Sequence, residues 1–477
     1  MSAALRTHNR WLALVVLALT QLVVVLDGTI VNIALPEAQL ELGLTDGERG
    51  WVVTAYALAF GALLLLGGRI ADYWGRKRAY MLGMIGFGLA SVWGGLAQNG
   101  FELILARGLQ GAFAALLAPA ALALLTVTFP SGRERNTAFA VFGAIAGAGA
   151  AVGMVLGGVL TEFADWRWCL LVNVFFVIVG VIGGALFLDE SRAEGDNRYD
   201  VLGAVTVTLG LGSLVYGFSL AEGGWGQPTT IGFLALGAGL LVLFVYVEMK
   251  VAQPLLPLRI VADRIRAGAF LIQLLAGSVM IGALLYLTFH LQIVLGLSPL
   301  AAGLASLPLP FAITLVAPIV TKLLPKVGPR PLLIGGPLVV AASMLFLSGI
   351  TADGTYVAQV LPGLILLGIG MGFVFVPLQN VALAGVAPHD AGAASATANS
   401  AMQIGGSIGL SVFTAIYVAA VPSGGNPLVG FTTGYSATFV AAAVGMVIAS
   451  IVAATLLRGG RARLRLQATG APIPHLG

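Results

Sequence analysis

Gly68-Arg69-Ile70-Ala71-Asp72-Tyr73-Trp74-Gly75-Arg76-Lys77-Arg78 is a charged turn that closes one apolar run, 50–70, and opens another, 79–97. Each run is about 20 residues long, the length needed to cross a bilayer as a helix. Gly75 permits a tight reversal between them. Asp72 is placed to pair with the basic cluster or with a helix terminus opposite, as a latch that a conformational change could release. The pattern of apolar run and polar turn continues outward in both directions. Candidate spans are 11–34, 50–70, 79–97, 102–128, 137–160, 168–188, 201–220, 230–247, 268–296, 300–323, 331–350, 356–386, 391–421 and 434–457, about fourteen in all.

Composition agrees. Of 477 residues, 58% are hydrophobic and only 9% are charged, against roughly 25% charged in a soluble domain. Mean hydropathy is +0.99. The 65 glycines and 21 prolines lie within apolar runs, where membrane helices tolerate them. The expected fold class is therefore an all-α integral membrane protein. The single cysteine, Cys169, excludes an intrachain disulfide. The four histidines, His8, His290, His389 and His475, lack metal-ligand spacing, so no metal or cofactor is expected. Residues 11–34 are too long for the apolar core of a signal peptide and read as a first span.

The basic residues orient the chain. With the N-terminus in the cytoplasm, only Arg49 and Arg167 of the 24 lysines and arginines fall in external loops and only Arg107 falls inside a span, leaving 21 on the cytoplasmic side. Both termini are then cytoplasmic. A faint repeat supports the layout: Gly75-Arg76-Lys77 after the second span and Gly328-Pro329-Arg330 after the tenth lie 253 positions apart, an offset that also brings the third span onto the eleventh. Two six-helix halves separated by an extra pair fit this pattern.

Ionisable side chains in hydrocarbon are costly and mark function. Two lie well inside the spans, Asp27 in the first and Arg107 in the fourth, at similar depth below the external surface. A water-filled cavity reached by both and a buried structural pair are the two readings. The functional one is preferred, since apolar packing could replace a purely structural pair at little cost. Thr20, Gln21, Gly28 and Asn32 share a face with Asp27, and Arg107, Gln110, Gly111, Ala114 and Ala118 form one stripe of the fourth span. The fifth span carries Gly143, Gly147, Gly149, Gly153, Gly157 and Gly158, which suit either a sliding or a tight static contact. In the second half, Gln379, Asn380, Asn399 and Gln403 offer neutral hydrogen bonds to a ligand or to other helices. His290, near the external end of the ninth span, reads as structural.

The turn quoted above resembles the signature loop of the major facilitator superfamily, G-x-L-x-D-R-x-G-R-K-x. Residues 26–36, Leu-Asp-Gly-Thr-Ile-Val-Asn-Ile-Ala-Leu-Pro, resemble the first-helix motif of its fourteen-helix drug:proton antiporter family. Arg107-Gly108-Leu109-Gln110-Gly111 is similar to the fourth-helix motif R-x-x-Q-G, and Trp166-Arg167-Trp168 with Asn173 to the start of the sixth helix. The resemblance covers nearly the whole chain. It implies a major facilitator fold of two six-helix bundles plus two extra helices, with proton influx driving export of amphipathic compounds. It maps Asp27 and Arg107 onto the groups tied to proton coupling, and Gly68, Asp72, Gly75 and Arg76 onto the gating loop. Departures are Tyr73 for a basic residue, Ala150 and Met154 for the two prolines of the fifth-helix antiporter motif, and Phe175 for a proline of the sixth. A fifth span without prolines is expected to be straighter, a departure that bears on the tightness of coupling more than on the fold.

The expected organisation is an N-terminal six-helix bundle (1–188), a linker with two extra transmembrane helices and an amphipathic cytoplasmic loop (189–267), a C-terminal six-helix bundle (268–457) and a basic cytoplasmic tail (458–477). The expected function is proton-coupled export of lipophilic monocationic, zwitterionic or neutral compounds by alternating access, since the second-half spans hold no deep carboxylate for a dication. Export of one natural product, lipid or amino-acid derivative, or weakly coupled facilitation, is the alternative. No nucleophile–base pair or metal cluster at bilayer depth suggests an enzyme. The expected partners are a small lipophilic molecule, protons and the bilayer, with no nucleic acid and a monomeric state. Arginine far outnumbers lysine and alanine and glycine are abundant, which hints at a GC-rich bacterial genome; the expected location is a bacterial cytoplasmic membrane.

Overall fold

The computed structural model describes residues 3–129, 132–193, 200–386, 391–422 and 426–457. The basic tail 458–477, residues 194–199 of the linker, His389 and the side chains of residues 1–9 lie outside the described set. Among the described residues the secondary structure is helical throughout. In chain order the helices are α1 (Ala3–Leu42), α2 (Asp46–Trp74), α3 (Arg76–Gly95), α4 (Gly100–Thr128), α5 (Arg133–Phe163), α6 (Trp168–Phe187), α7 (Val201–Leu220), α8 (Pro228–Lys250), the short α9 (Leu258–Ala262), α10 (Arg264–Phe289), α11 (Pro299–Ser306), α12 (Pro308–Val327), α13 (Pro329–Leu347), α14 (Leu361–Leu383), α15 (Ala391–Ala420) and α16 (Pro427–Leu456). Among the described residues thirteen segments are long and apolar enough to cross a membrane, with α11 and α12 together forming one of them. The 20-residue α3 brings the set to fourteen.

Helix ends follow local chemistry. Thr45 caps α2 in a reciprocal box with Glu48. Asn99 accepts from Glu102 N at the start of α4, and Asp263 from Ile265 N and Arg266 N at the start of α10. The tenth span, expected as one run, is two helices meeting at Leu307, because Pro308 has no N–H to carry the ladder across. Conversely, α1 runs through Pro36 to Leu42. Arg49, expected in an external loop, is in the first turn of α2, buried and paired with Asp46 at 2.8 Å.

The chain divides into two compact units, Met1–Thr208 with Leu297–Leu304, and Leu209–Gly296 with Ala305–Gly477. In the first, α1 packs on α5 and α6, α3 on α4 and α6, and α2 on α4. In the second, α10 packs on α15 and α16, α13 on α14 and α16, and α12 on α14. The schemes correspond helix for helix at the repeat offset. Both hinge glycines, Gly75 (φ 131°) and Gly328 (φ 82°), hold the positive φ that side chains avoid and join consecutive helices without a further residue. Backbone-to-backbone approach sets the tightest pairs: a Cβ at Gly111 would strike the backbone of Tyr56, and one at Gly277 that of Met402.

Candidate functional site

α4 presents Arg107 and Gln110 one turn apart on a single face, as the stripe in the sequence implies. That face meets α1 at Asp27. Arg107 Nη1 donates to Asp27 Oδ2 at 2.5 Å, and Gln110 Nε2 donates to Asp27 Oδ1 at 3.1 Å. α6 adds a third donor, Asn173 Nδ2, at 2.8 Å from Oδ1. Arg107 Nη1 also donates to Gln110 Oε1 (2.8 Å), and its Nε to the Val52 carbonyl (3.2 Å). Its guanidinium carbon lies 4.4 Å from the centre of the Tyr56 ring, a cation–π contact. Gln110 Nε2 reaches Ser91 Oγ on α3 at 2.8 Å.

Five helices thus converge on one ion pair. Asp27, Gln110 and Asn173 are 0% exposed and Arg107 is 1% exposed, so water does not screen the pair. Burial of two charges is tolerable only when the remaining lone pairs and protons are also satisfied, and Asp27 has a donor on each oxygen. One acceptor is left over: Asn173 Oδ1 is buried without a partner.

The other expected site residues lie elsewhere. Gln21 is half-buried, and Asn32 donates to Gly28 O of its own helix. Gln379, Asn380 and Asn399 are exposed, the latter two bonded to carbonyls one turn back, and Gln403 is half-buried. These four belong to α14 and α15 of the second unit. His290 is buried with both ring nitrogens unpartnered, edge-on to Tyr435 at the start of a π-helical turn, His290–Val294. Asn173, Ser91 and Tyr56 escaped the polar-face reading, which followed one helix at a time.

In the α2–α3 turn, Arg76 grips Asp72 through Nε (3.0 Å) and Nη2 (2.8 Å). Gly68 sits beside Pro119, and a Cβ at Gly75 would meet the Glu190 carboxylate. The turn is tied to the segment after α6 by Arg76 N to Ser191 O (2.9 Å) and Ala193 N to Asp72 O (2.8 Å). In α5, Gly149, Gly153 and Gly157 face α1, while Gly158 faces Pro299 and Leu300. Gly143 and Gly147 have open space where a Cβ would project.

The Major Facilitator Superfamily domain matches residues 17–410. The puromycin resistance protein pur8 of Streptomyces alboniger is 45% identical over 464 residues, covering 95% of this chain and 92% of the relative. The cephamycin export protein CmcT of Amycolatopsis lactamdurans is 37% identical over 460 residues, covering 94% and 93%. Among solved structures, a bacterial homologue of the human lysosomal transporter Spinster superposes with a TM-score of 0.66 at 15% identity, covering 99% of this chain and 100% of that one; that likeness concerns the fold. The chain belongs to the major facilitator superfamily, and its relatives include antibiotic-resistance and export transporters.

Proposed function

We propose that the protein is a proton-coupled exporter of lipophilic compounds, antibiotics among them, working by alternating access in a bacterial cytoplasmic membrane with both termini inside. The observation that carries this reading is the sealed Asp27–Arg107 pair with its two amide partners. Ionised, Asp27 is matched by three donors. A proton arriving on it removes the counter-charge of Arg107 and leaves a buried guanidinium facing a neutral acid. Removing one partner of a buried pair costs about 3–5 kcal/mol. Swinging a two-state equilibrium from 1:99 to 99:1 takes about 5.5 kcal/mol, so one protonation supplies most of the bias that a transport step needs. Asn173 suits both states: its Nδ2 donates to the carboxylate, and its unpartnered Oδ1, after an amide flip, accepts from the carboxylic acid.

Puromycin and cephamycin, named by two relatives, supply starting probes. Because each of those names holds a single compound, export of one natural product is the second reading, and a transport panel in everted vesicles separates it from broad export. Both readings share one test. Substrate added to purified protein in weak buffer is expected to release protons, and Asp27→Asn to abolish the release. Full proton-driven export by Asp27→Asn would refute the coupling role.

A further inference from the structure

The first turns of α3 form one wall of a groove of about 540 Å³, lined by Trp74, Lys77, Arg78, Leu82, Ile85 and Glu190. Its chemistry is graded along the helix. Lys77 and Arg78 stand at one end, with Trp74 beside them. Leu82, Ile85, Leu89 and Trp93 continue from Arg78 along one helical face and are 46%, 44%, 67% and 38% exposed. Arg78 and Trp93 are separated by about 22 Å at 1.5 Å per residue, the reach of an acyl chain.

The charges at the head of the groove are unequal. Glu190 is already engaged: Oε1 accepts from Lys77 N (3.1 Å) and Ser191 N (3.0 Å), and Oε2 from Arg78 N (3.2 Å) with the Arg78 guanidinium 3.7 Å away. It fills the N-terminus of α3, each of its oxygens accepting from a backbone N–H there. Lys77 Nζ, by contrast, donates to two uncharged carbonyls, Leu188 O (2.6 Å) and Ala185 O (3.0 Å). Among the described residues no carboxylate forms an ion pair with it. Arg78 keeps a side chain that is 55% exposed. Among the described residues, the head of the groove therefore carries an excess positive charge above an apolar wall.

We propose that this groove binds an anionic phospholipid, with its phosphate against Lys77 and Arg78 and an acyl chain along Leu82, Ile85 and Leu89. The site lies on the side that the arginine and lysine bias assigns to the cytoplasm, where the leaflet is anionic and attracts basic side chains. Both cations follow Gly75 and Arg76 directly, so the lipid would brace the turn where it meets the segment after α6.

Native mass spectrometry of protein taken from bilayers of phosphatidylcholine with added phosphatidylglycerol tests this. Phosphatidylglycerol is expected to be retained on the order of tenfold better than phosphatidylcholine. Lys77→Gln with Arg78→Gln should erase the preference, while Lys77→Arg with Arg78→Lys should keep it. Equal retention of the two lipids by the wild type, or an undiminished preference in the Gln variant, overturns the proposal. Displacement by glycerol phosphate, which has the headgroup but no tail, would identify a free-anion site and also overturn it. If the double variant does not fold, Arg78→Gln alone decides, because that side chain is half-exposed and each preparation is read against its own phosphatidylcholine signal. The readout needs neither sidedness nor transport, so it stands apart from the proton-coupling test.

Discussion

At the scale of single residues, the Asp27–Arg107 pair makes a thermodynamic claim separable from transport. Asp27→Asn leaves Arg107 buried without its counter-charge, and Arg107→Gln does the reverse to Asp27. Each single variant is expected to lose about 3–5 kcal/mol, read as a lowered unfolding midpoint in detergent. The double variant removes both charges and should be more stable than either single one, while still failing to couple protons to export. Additive losses would mean the two side chains do not depend on each other. Much of this cluster was legible beforehand. Asp27 and Arg107 stand out as charges in hydrocarbon, and Gln110 follows Arg107 by one turn. Ser91 was not legible, since a serine in a span commonly bonds its own helix, and Ser91 also does so with Phe87 O. Its link to Gln110 requires knowing that α3 lies against α4. Asn173 was visible through motif resemblance, with no hint in the sequence that it reaches across to Asp27.

At the scale of helices, the glycines of α5 divide by what they face. Those at 149, 153 and 157 form a stripe of period four against Val25, Thr29 and Ile30 of α1. Gly153 leaves no space for a methyl group beside Thr29 and the Leu26 carbonyl, whereas Gly147 has open surroundings. Gly153→Ala is expected to destabilise by about 1–3 kcal/mol, the usual cost of overpacking. Gly147→Ala should be neutral or gain about 0.5–1 kcal/mol, since alanine favours helix over glycine. Unfolding midpoints compare the two directly, and a reversed order would contradict the packing. The sequence showed six glycines and could not rank them, because the side facing α1 depends on where the neighbouring helix lies. The hinge glycines were easier. Gly75 and Gly328 sit at charged turns 253 positions apart, and each holds a backbone conformation that favours glycine. Helix ends were hardest, as α1 passing through Pro36 and the break at Leu307 illustrate. Proline lacks an N–H wherever it sits, and packing around it decides whether the helix continues.

At the scale of the whole molecule, the scarcity of buried charge becomes a statement about cargo. Asp27 is the carboxylate at the heart of the first unit, and Arg107 already balances it, so the cluster is neutral overall. The polar residues expected to meet ligand in the second unit, Gln379, Asn380, Asn399 and Gln403, are all neutral amides. In the proposed cycle a monocation would be met by Asp27 in place of Arg107, and a zwitterion or neutral compound would need no countercharge. A dication keeps at least one charge unmatched as it leaves water, at a cost of several kcal/mol per ion. Each 1.4 kcal/mol is a factor of ten in affinity, so even a partly hydrated second charge should depress binding on the order of a hundredfold. Everted vesicles offered a lipophilic monoammonium compound and its bis-ammonium analogue of similar bulk are expected to accumulate the first and largely exclude the second. Preferential accumulation of the dication, persisting in Asp27→Asn, would require an acidic group outside this cluster and would refute the cargo assignment.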